Sequence, residues 1–234
     1  DFERLYARLR KTLPKHKGEV KGRLLDEGQV TQVAGLVRRM EGIFDVVLVD
    51  MAMHSRDALE VHRANQAVAI TAHLTEAHHP NLVAQVWKLR RELEGMSLQL
   101  YVQAIAMQTL VYHTLNHANT YLAFRQPKEL AAYHWTIDAK HDGDHRVPWE
   151  EWWRDVVMPM LESHTMREPF MMVEGGDYSG HARFETTPSE WKMQFVRGGT
   201  GDSFLSIREV LREDFRFSSA SEPGLEVVDI LVNA

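Results

Sequence analysis

Apolar residues follow helical spacing over most of this chain. Phe2, Leu5, Leu9 and Leu13 recur three and four apart and predict an amphipathic helix over residues 1–13, ended by Pro14. Val30, Val33, Leu36, Val37 and Met40 predict a second helix over about 26–41, with Gly42 as its stop signal. From residue 55 to 124 nothing reads as strand. His78, His79 and Pro80, then Glu94 and Gly95, divide that region into three predicted helices, about 55–76, 80–94 and 96–123. The third carries Leu98, Val102, Ile105, Leu110, Leu115 and Tyr121 and has a broad apolar face. A Pro-led helix is predicted over 148–163 and a short one over 205–212.

Strand patterns are fewer. Residues 43–50, Ile-Phe-Asp-Val-Val-Leu-Val-Asp, form the strongest, β-branched and nearly continuous, as in a sheet buried on both faces. Residues 130–138 read as a second strand ending at Asp138, and 215–218 as a third. Pro223 and Gly224 then open a last helix with Leu225, Val228, Leu231 and Val232 at helical spacing. Strands and helices mix throughout, so the expected class is α/β, one domain over 1–234 with a helical insertion over about 55–124. Both termini read as trimmed: the chain opens in a helical pattern without Met and stops within a helix.

Composition narrows the function classes. A 234-residue chain that is 44% hydrophobic can bury a sizeable core. No general polyanion-binding surface follows from a net charge of -6, so any nucleic-acid contact needs a local basic patch. Lys15, His16, Lys17, Lys21 and Arg23 form the one such run, with a solvated charge run as the competing reading. Cysteine is absent, which removes disulfides and thiolate metal sites and fits a reducing, cytoplasmic setting. No stretch approaches the ~18 apolar residues of a membrane span.

Carboxylates carry the candidate chemistry. Glu19 lies in a short segment between Gly18 and Gly22, Asp138 ends a predicted strand, and Glu226 and Asp229 share a face of the last helix. A carboxylate pair on an apolar helix needs a cation, a basic side chain or water, or is stabilised by the dipole of the first helical turn. Carboxylates at strand ends and on a facing helix can converge at the carboxyl edge of a sheet. Oxygen ligands of that kind suit Mg²⁺ or Mn²⁺ and, in a two-metal site, phosphodiester hydrolysis.

Four segments occur in order: Glu19-Val-Lys-Gly, Phe44-Asp-Val-Val-Leu-Val-Asp, Thr136-Ile-Asp-Ala-Lys, and residues 221–234 with their Pro-Gly-Leu-Glu-Val-Val-Asp core. Together they resemble the domain-of-unknown-function family 3800, whose fold is similar to that of RNase H-like nucleases. The resemblance implies a mixed sheet flanked by helices and, when the N-terminal strand with its Asp ligand is present, a metal-dependent nuclease acting on RNA or DNA. It implies Glu19, Asp138 and Asp229 as Mg²⁺ or Mn²⁺ ligands, with Lys21 as a nearby cation for phosphate or for tuning a carboxylate. Departures from the family pattern are an absent Asp-Glu-Ser-Gly strand, Glu226 in place of the usual Gln, and Val228 in place of the usual Ala. Glu226 is then either an added ligand or a solvent-facing side chain.

Other motifs carry competing readings. The same domain can be a non-catalytic binding or scaffold module with structural carboxylates and the 55–124 helices as a partner surface. His113 and His117 are four apart, as zinc-ligand pairs are, but no Glu follows His113 and a structural role on a buried helix competes. The loop with His141, Asp142, Asp144 and His145 can hold a metal or be a solvated turn. Trp149, Trp152 and Trp153 can stack on bases or pack a helix.

Overall fold

The computed structural model describes residues 2–139, 152–187, 204–212 and 214–233. The predicted loop over 139–147, with His141, Asp142, Asp144 and His145, and the side chain of Trp149 lie outside them, apart from residue 139 itself.

Eight α-helices occur among the described residues: α1 Phe2–Leu9, α2 Glu27–Arg39, α3 Arg56–Thr71, α4 Pro80–Gly95, α5 Leu98–Arg125, α6 Met158–Arg167, α7 Ile207–Arg212 and α8 Pro223–Val232. Four strands accompany them: β1 Trp135–Asp138, β2 Glu185–Thr186, β3 Phe204–Leu205 and β4 Phe215–Ser218. β1 and β4 pair in parallel, Trp135 with Phe215 through Asp138 with Ser218, and β2 pairs antiparallel with β3. The architecture is mixed α/β, mostly helical, with a small two-stranded parallel sheet.

Local chemistry explains where the helices begin. Asp26 accepts from the Gln29 N–H at 2.8 Å while Gln29 accepts from the Asp26 N–H at 3.1 Å, a reciprocal cap that starts α2. Ser55 and Ser97 cap α3 and α5 through the Ala58 and Leu100 N–H groups. Pro80 supplies a first-turn residue to α4 that has no donor to satisfy.

Two apolar clusters result. The larger gathers α5, α6, α7 and the β1–β4 pair, with Trp153 stacked on Phe215 at 5.5 Å between ring centroids. Trp152 and Trp153 are buried, so they pack the core rather than present faces to bases. The smaller joins Tyr6, Leu13, Val20, Val33 and Leu36 to Val227 and Ile230 of α8. α8 therefore buries a different face from the one its spacing suggested. Glu226, Val227 and Ile230 are inside, while Val228 and Val232 are 51% and 55% exposed. A helix apolar nearly all round has no stripe to orient it; the polar partners of Glu226 decide which side turns in.

Residues 43–49 depart most from expectation. They belong to no strand, and Phe44, Val46 and Leu48 are exposed. The β-branched run has no neighbouring strand among the described residues, so it cannot complete a sheet.

Gly22 sets the docking of residues 22–24 on α8. A Cβ there would lie 2.5 Å from the Asp229 carbonyl oxygen and 2.8 Å from the Ile230 Cα, both backbone atoms that cannot rotate away. Gly22→Ala is expected to lower unfolding free energy by about 1–3 kcal/mol in urea titration. Gly35→Ala, where nothing lies within 4 Å, is the control and should be neutral or stabilising by up to about 1 kcal/mol.

Candidate functional site

The parallel pair ends at Asp138 and Ser218, and α8 starts five residues after β4 ends. The carboxyl edge of the sheet, where α/β proteins place ligands, is therefore bounded by α8. Arg216 ties the corner together: its Nε donates to Thr136 Oγ1 at 3.2 Å and its Nη2 to Glu222 Oε2 at 2.8 Å.

Residues 22–24 also pack on α8. Lys17 (φ 51°) and Gly18 (φ 87°) turn the chain, closed by reciprocal backbone bonds between His16 and Glu19. The turn delivers Val20 into the smaller cluster and places Gly22 on α8, where its N–H donates to Asp229 Oδ2 at 2.8 Å. Lys21 projects between these anchors and pairs with Glu19, Nζ to Oε2, at 2.7 Å.

Lys21 lies in a field of carboxylate charge. Its ammonium is held above the ordinary value mainly by the hydrogen bond to Glu19. Burial opposes that, and the charges of Glu19, Asp229 and Asp138 add to it. Glu19 pairs with Lys21 directly, whereas Asp229 and Asp138 act on it only through their charge. Asp138 is exposed and Asp229 half-buried.

Glu226 stands apart from these residues. It is 5% exposed, and its two oxygens accept five hydrogen bonds. Arg10 donates twice at 2.7 Å, once to each oxygen, Ser221 Oγ at 2.7 Å, Tyr6 Oη at 2.9 Å and the Val20 N–H at 3.0 Å. These donors fill the directions a cation would approach from. Neither sequence-based role, extra metal ligand or solvent-facing side chain, describes this position. Glu226 is a structural anchor joining α1, the 15–24 turn and α8. Burial pushes its carboxyl up, and the bonds from Arg10, Ser221, Val20 and Tyr6 reverse that, holding it at about 2.

An all-oxygen set of Glu19, Asp138 and Asp229 fits Mg²⁺ or Mn²⁺ in chemistry, since Mg²⁺ is held through one or two carboxylates with waters and substrate phosphates completing its shell. It is not a closed cage. No group of three His, Asp or Glu that could hold a metal occurs among the described residues.

The histidine pair lies elsewhere. His113 and His117 sit on the exposed side of α5, not inside it, with ring centroids 6.2 Å apart. His117 Nδ1 lies 2.7 Å from Asp45 Oδ1, so one of the two already has a partner. Lys15, His16, Lys17 and Arg23 are exposed. A second basic feature escaped the sequence reading. Arg8, Arg38 and Arg39 line an open groove of about 830 Å³ between α1 and α2, floored by Leu5, Leu9 and Leu36. These arginines are scattered over two helices, and only the packing of α1 on α2 unites them.

No helix among the described residues is long and apolar enough to cross a membrane. Comparison with protein-family models, with curated proteins and with solved structures finds no match for this chain.

The Glu226 anchor has a pH signature. Its folded-state value of about 2 lies below the ordinary 4.5, so its stabilisation is fully present above that value and lost as pH falls toward 2. The shift corresponds to on the order of 3 kcal/mol. Glu226→Gln should therefore lower Tm most at neutral pH, and the gap to wild type should narrow as pH drops from 4.5 to 2. A gap that does not change with pH in calorimetry contradicts the assignment.

Proposed function

We propose that this chain is an RNase H-like nuclease that hydrolyses nucleic-acid phosphodiester bonds with the help of Mg²⁺ or Mn²⁺. One observation carries the reading: the Gly22 N–H holds Asp229 Oδ2 at 2.8 Å, which sets the Glu19–Lys21 ion pair of the same turn beside α8, and α8 follows the parallel strand pair that ends at Asp138. The resemblance to family 3800 names the same residues, independently of their placement.

Each residue has a part. Asp138 and Asp229 are the groups that would hold the metal, both reachable from solvent. The Gly22 N–H fixes the rotamer of Asp229 by holding Oδ2. Its Oδ1 accepts only a longer 3.3 Å bond from Asn233 Nδ2 among the described residues. Glu19 orients Lys21 through their 2.7 Å ion pair, and Lys21 offers a cation to a phosphate oxygen. A metal bound there supplies Lewis acidity toward phosphate and makes a water more acidic.

The bonds of Glu19 to Lys21 and of Asp229 to Gly22 equally support a second reading. In that reading the carboxylates are purely structural, and the domain is a binding or scaffold module.

One experiment separates the two. The purified chain is incubated with labelled single- and double-stranded RNA and DNA in Mn²⁺ and in Mg²⁺. Cleavage should fall by about 100-fold or more in Asp138→Asn and in Asp229→Asn, a larger loss than follows removal of an outer partner of a metal ligand. It should not change in Glu60→Gln, a surface control on α3. Cleavage that persists in both Asn variants removes the site assignment. Absence of cleavage, together with no rise in Tm on adding Mn²⁺, favours the scaffold reading.

A further inference from the structure

One face of the α1–α2 pair is covered by α8. Tyr6 and Arg10, one turn apart, face that helix, where Val227 and Ile230 enter the smaller cluster and Glu226 meets the Arg10 guanidinium at 2.7 Å. The pair thus already holds an apolar helix that brings a carboxylate to an arginine. Another face is open. There the groove of about 830 Å³ runs between the two helices, floored by Leu5, Leu9 and Leu36 and edged by Arg8, Arg38 and Arg39. Arg10 continues the helical hydrogen bonding of α1, its N–H donating to the Tyr6 carbonyl at 2.7 Å. Arg8 and Arg10 are two positions apart and so do not share a face: Arg10 serves α8, and Arg8 serves the groove.

The groove is cationic within an acidic chain. Residues 1–41 hold ten Lys and Arg against six Asp and Glu, whereas the whole chain has a net charge of -6. No Asp or Glu lines the groove. Arg8, Arg38 and Arg39 are exposed, and among the described residues no carboxylate pairs with their guanidinium groups. A nucleic-acid strand would satisfy the arginines but not the leucine floor, since no aromatic ring lines the groove to stack on a base. An acidic amphipathic helix satisfies both. From Gln32 to Arg39, both at the groove, α2 advances ~10 Å, or two turns, which is room for two successive apolar anchors.

We infer that the groove between α1 and α2 docks an acidic amphipathic helix of a partner protein. Its apolar side chains rest on Leu5, Leu9 and Leu36, and its carboxylates meet Arg8 on one edge and Arg38 and Arg39 on the other. Recognition of a helix in a groove reads anchors three and four residues apart. α8, with Glu226 beside Val227 and Ile230, is such a helix supplied by the chain itself. Gly35 keeps the groove open, and a Cβ there would meet nothing within 4 Å. The inference stands whether or not the chain is a nuclease.

The probe is a synthetic helical peptide with Leu residues one turn apart and Glu beside each, titrated into the full chain to about 1 mM, where even weak binding registers. In methyl NMR spectra the Leu5, Leu9 and Leu36 signals should shift first. Arg38→Glu with Arg39→Glu should weaken binding by about 10-fold or more. Gly35→Trp changes no charge, and it should weaken binding by about 10-fold or more by filling the groove, with Tm unchanged or raised. The same peptide with Lys in place of Glu should not bind. Absence of shifts at the three leucines overturns the inference, as does binding that survives Gly35→Trp or equal binding of the Lys peptide. An oligodeoxythymidine that binds at these leucines more tightly than the Glu peptide overturns it in favour of a nucleic-acid groove.

Discussion

The arrangement of this protein hangs on one buried carboxylate. Glu226 is enclosed by Tyr6 and Arg10 from α1, Val20 from the following turn and Ser221 from the entry to its own helix. Each donor would be costly to bury unpaired, and so would the carboxylate. Together they are satisfied only if α1, the 15–24 turn and α8 meet at this point. The constraint joins the two ends of the chain, more than 200 positions apart, and it rotates α8 so that Val227 and Ile230 complete the smaller core.

The candidate site inherits its geometry from that anchor. With α8 rotated so, Asp229 comes to lie against Gly22, and the turn that carries Glu19 and Lys21 is held beside it. The parallel pairing of β1 with β4 then supplies Asp138 at the adjoining edge. One carboxylate builds the frame and is saturated by donors. Of the three others, Glu19 pairs with Lys21, Asp229 with the Gly22 N–H, and Asp138 is exposed at the end of its strand. Environment, not residue type, separates the two roles.

A strong local preference can remain without a strand partner among the described residues. Residues 43–49 read as strand because of their β-branched side chains, and that reading was physically sound about the segment's own preference. Pairing, however, is a property of two segments. Among the described residues they meet α5, through Asp45 and His117. Their outer face therefore stays apolar and exposed, and this gives the surface around α5 its distinct character.

Much of the local structure was legible in the amino-acid sequence. Helix starts could be read because caps such as Asp26 and Gln29 or Ser97 act within four residues. The β4 strand, the second half of the strand expected over 130–138, and the order of Glu19, Lys21, Asp138 and Asp229 are local or linear facts as well, whereas residues 130 and 131 close a helical turn instead. Only the tertiary structure decided which side of α8 turns inward, since Leu225, Val228 and Leu231 offered a stripe as good as the one used. It likewise decided that Glu226 is an anchor, that His113 and His117 face outward, and that Arg8, Arg38 and Arg39 share a groove. The reason is the same in each case. Propensity and capping are energies of neighbouring residues, whereas the burial of a charge is settled by donors brought from distant parts of the chain.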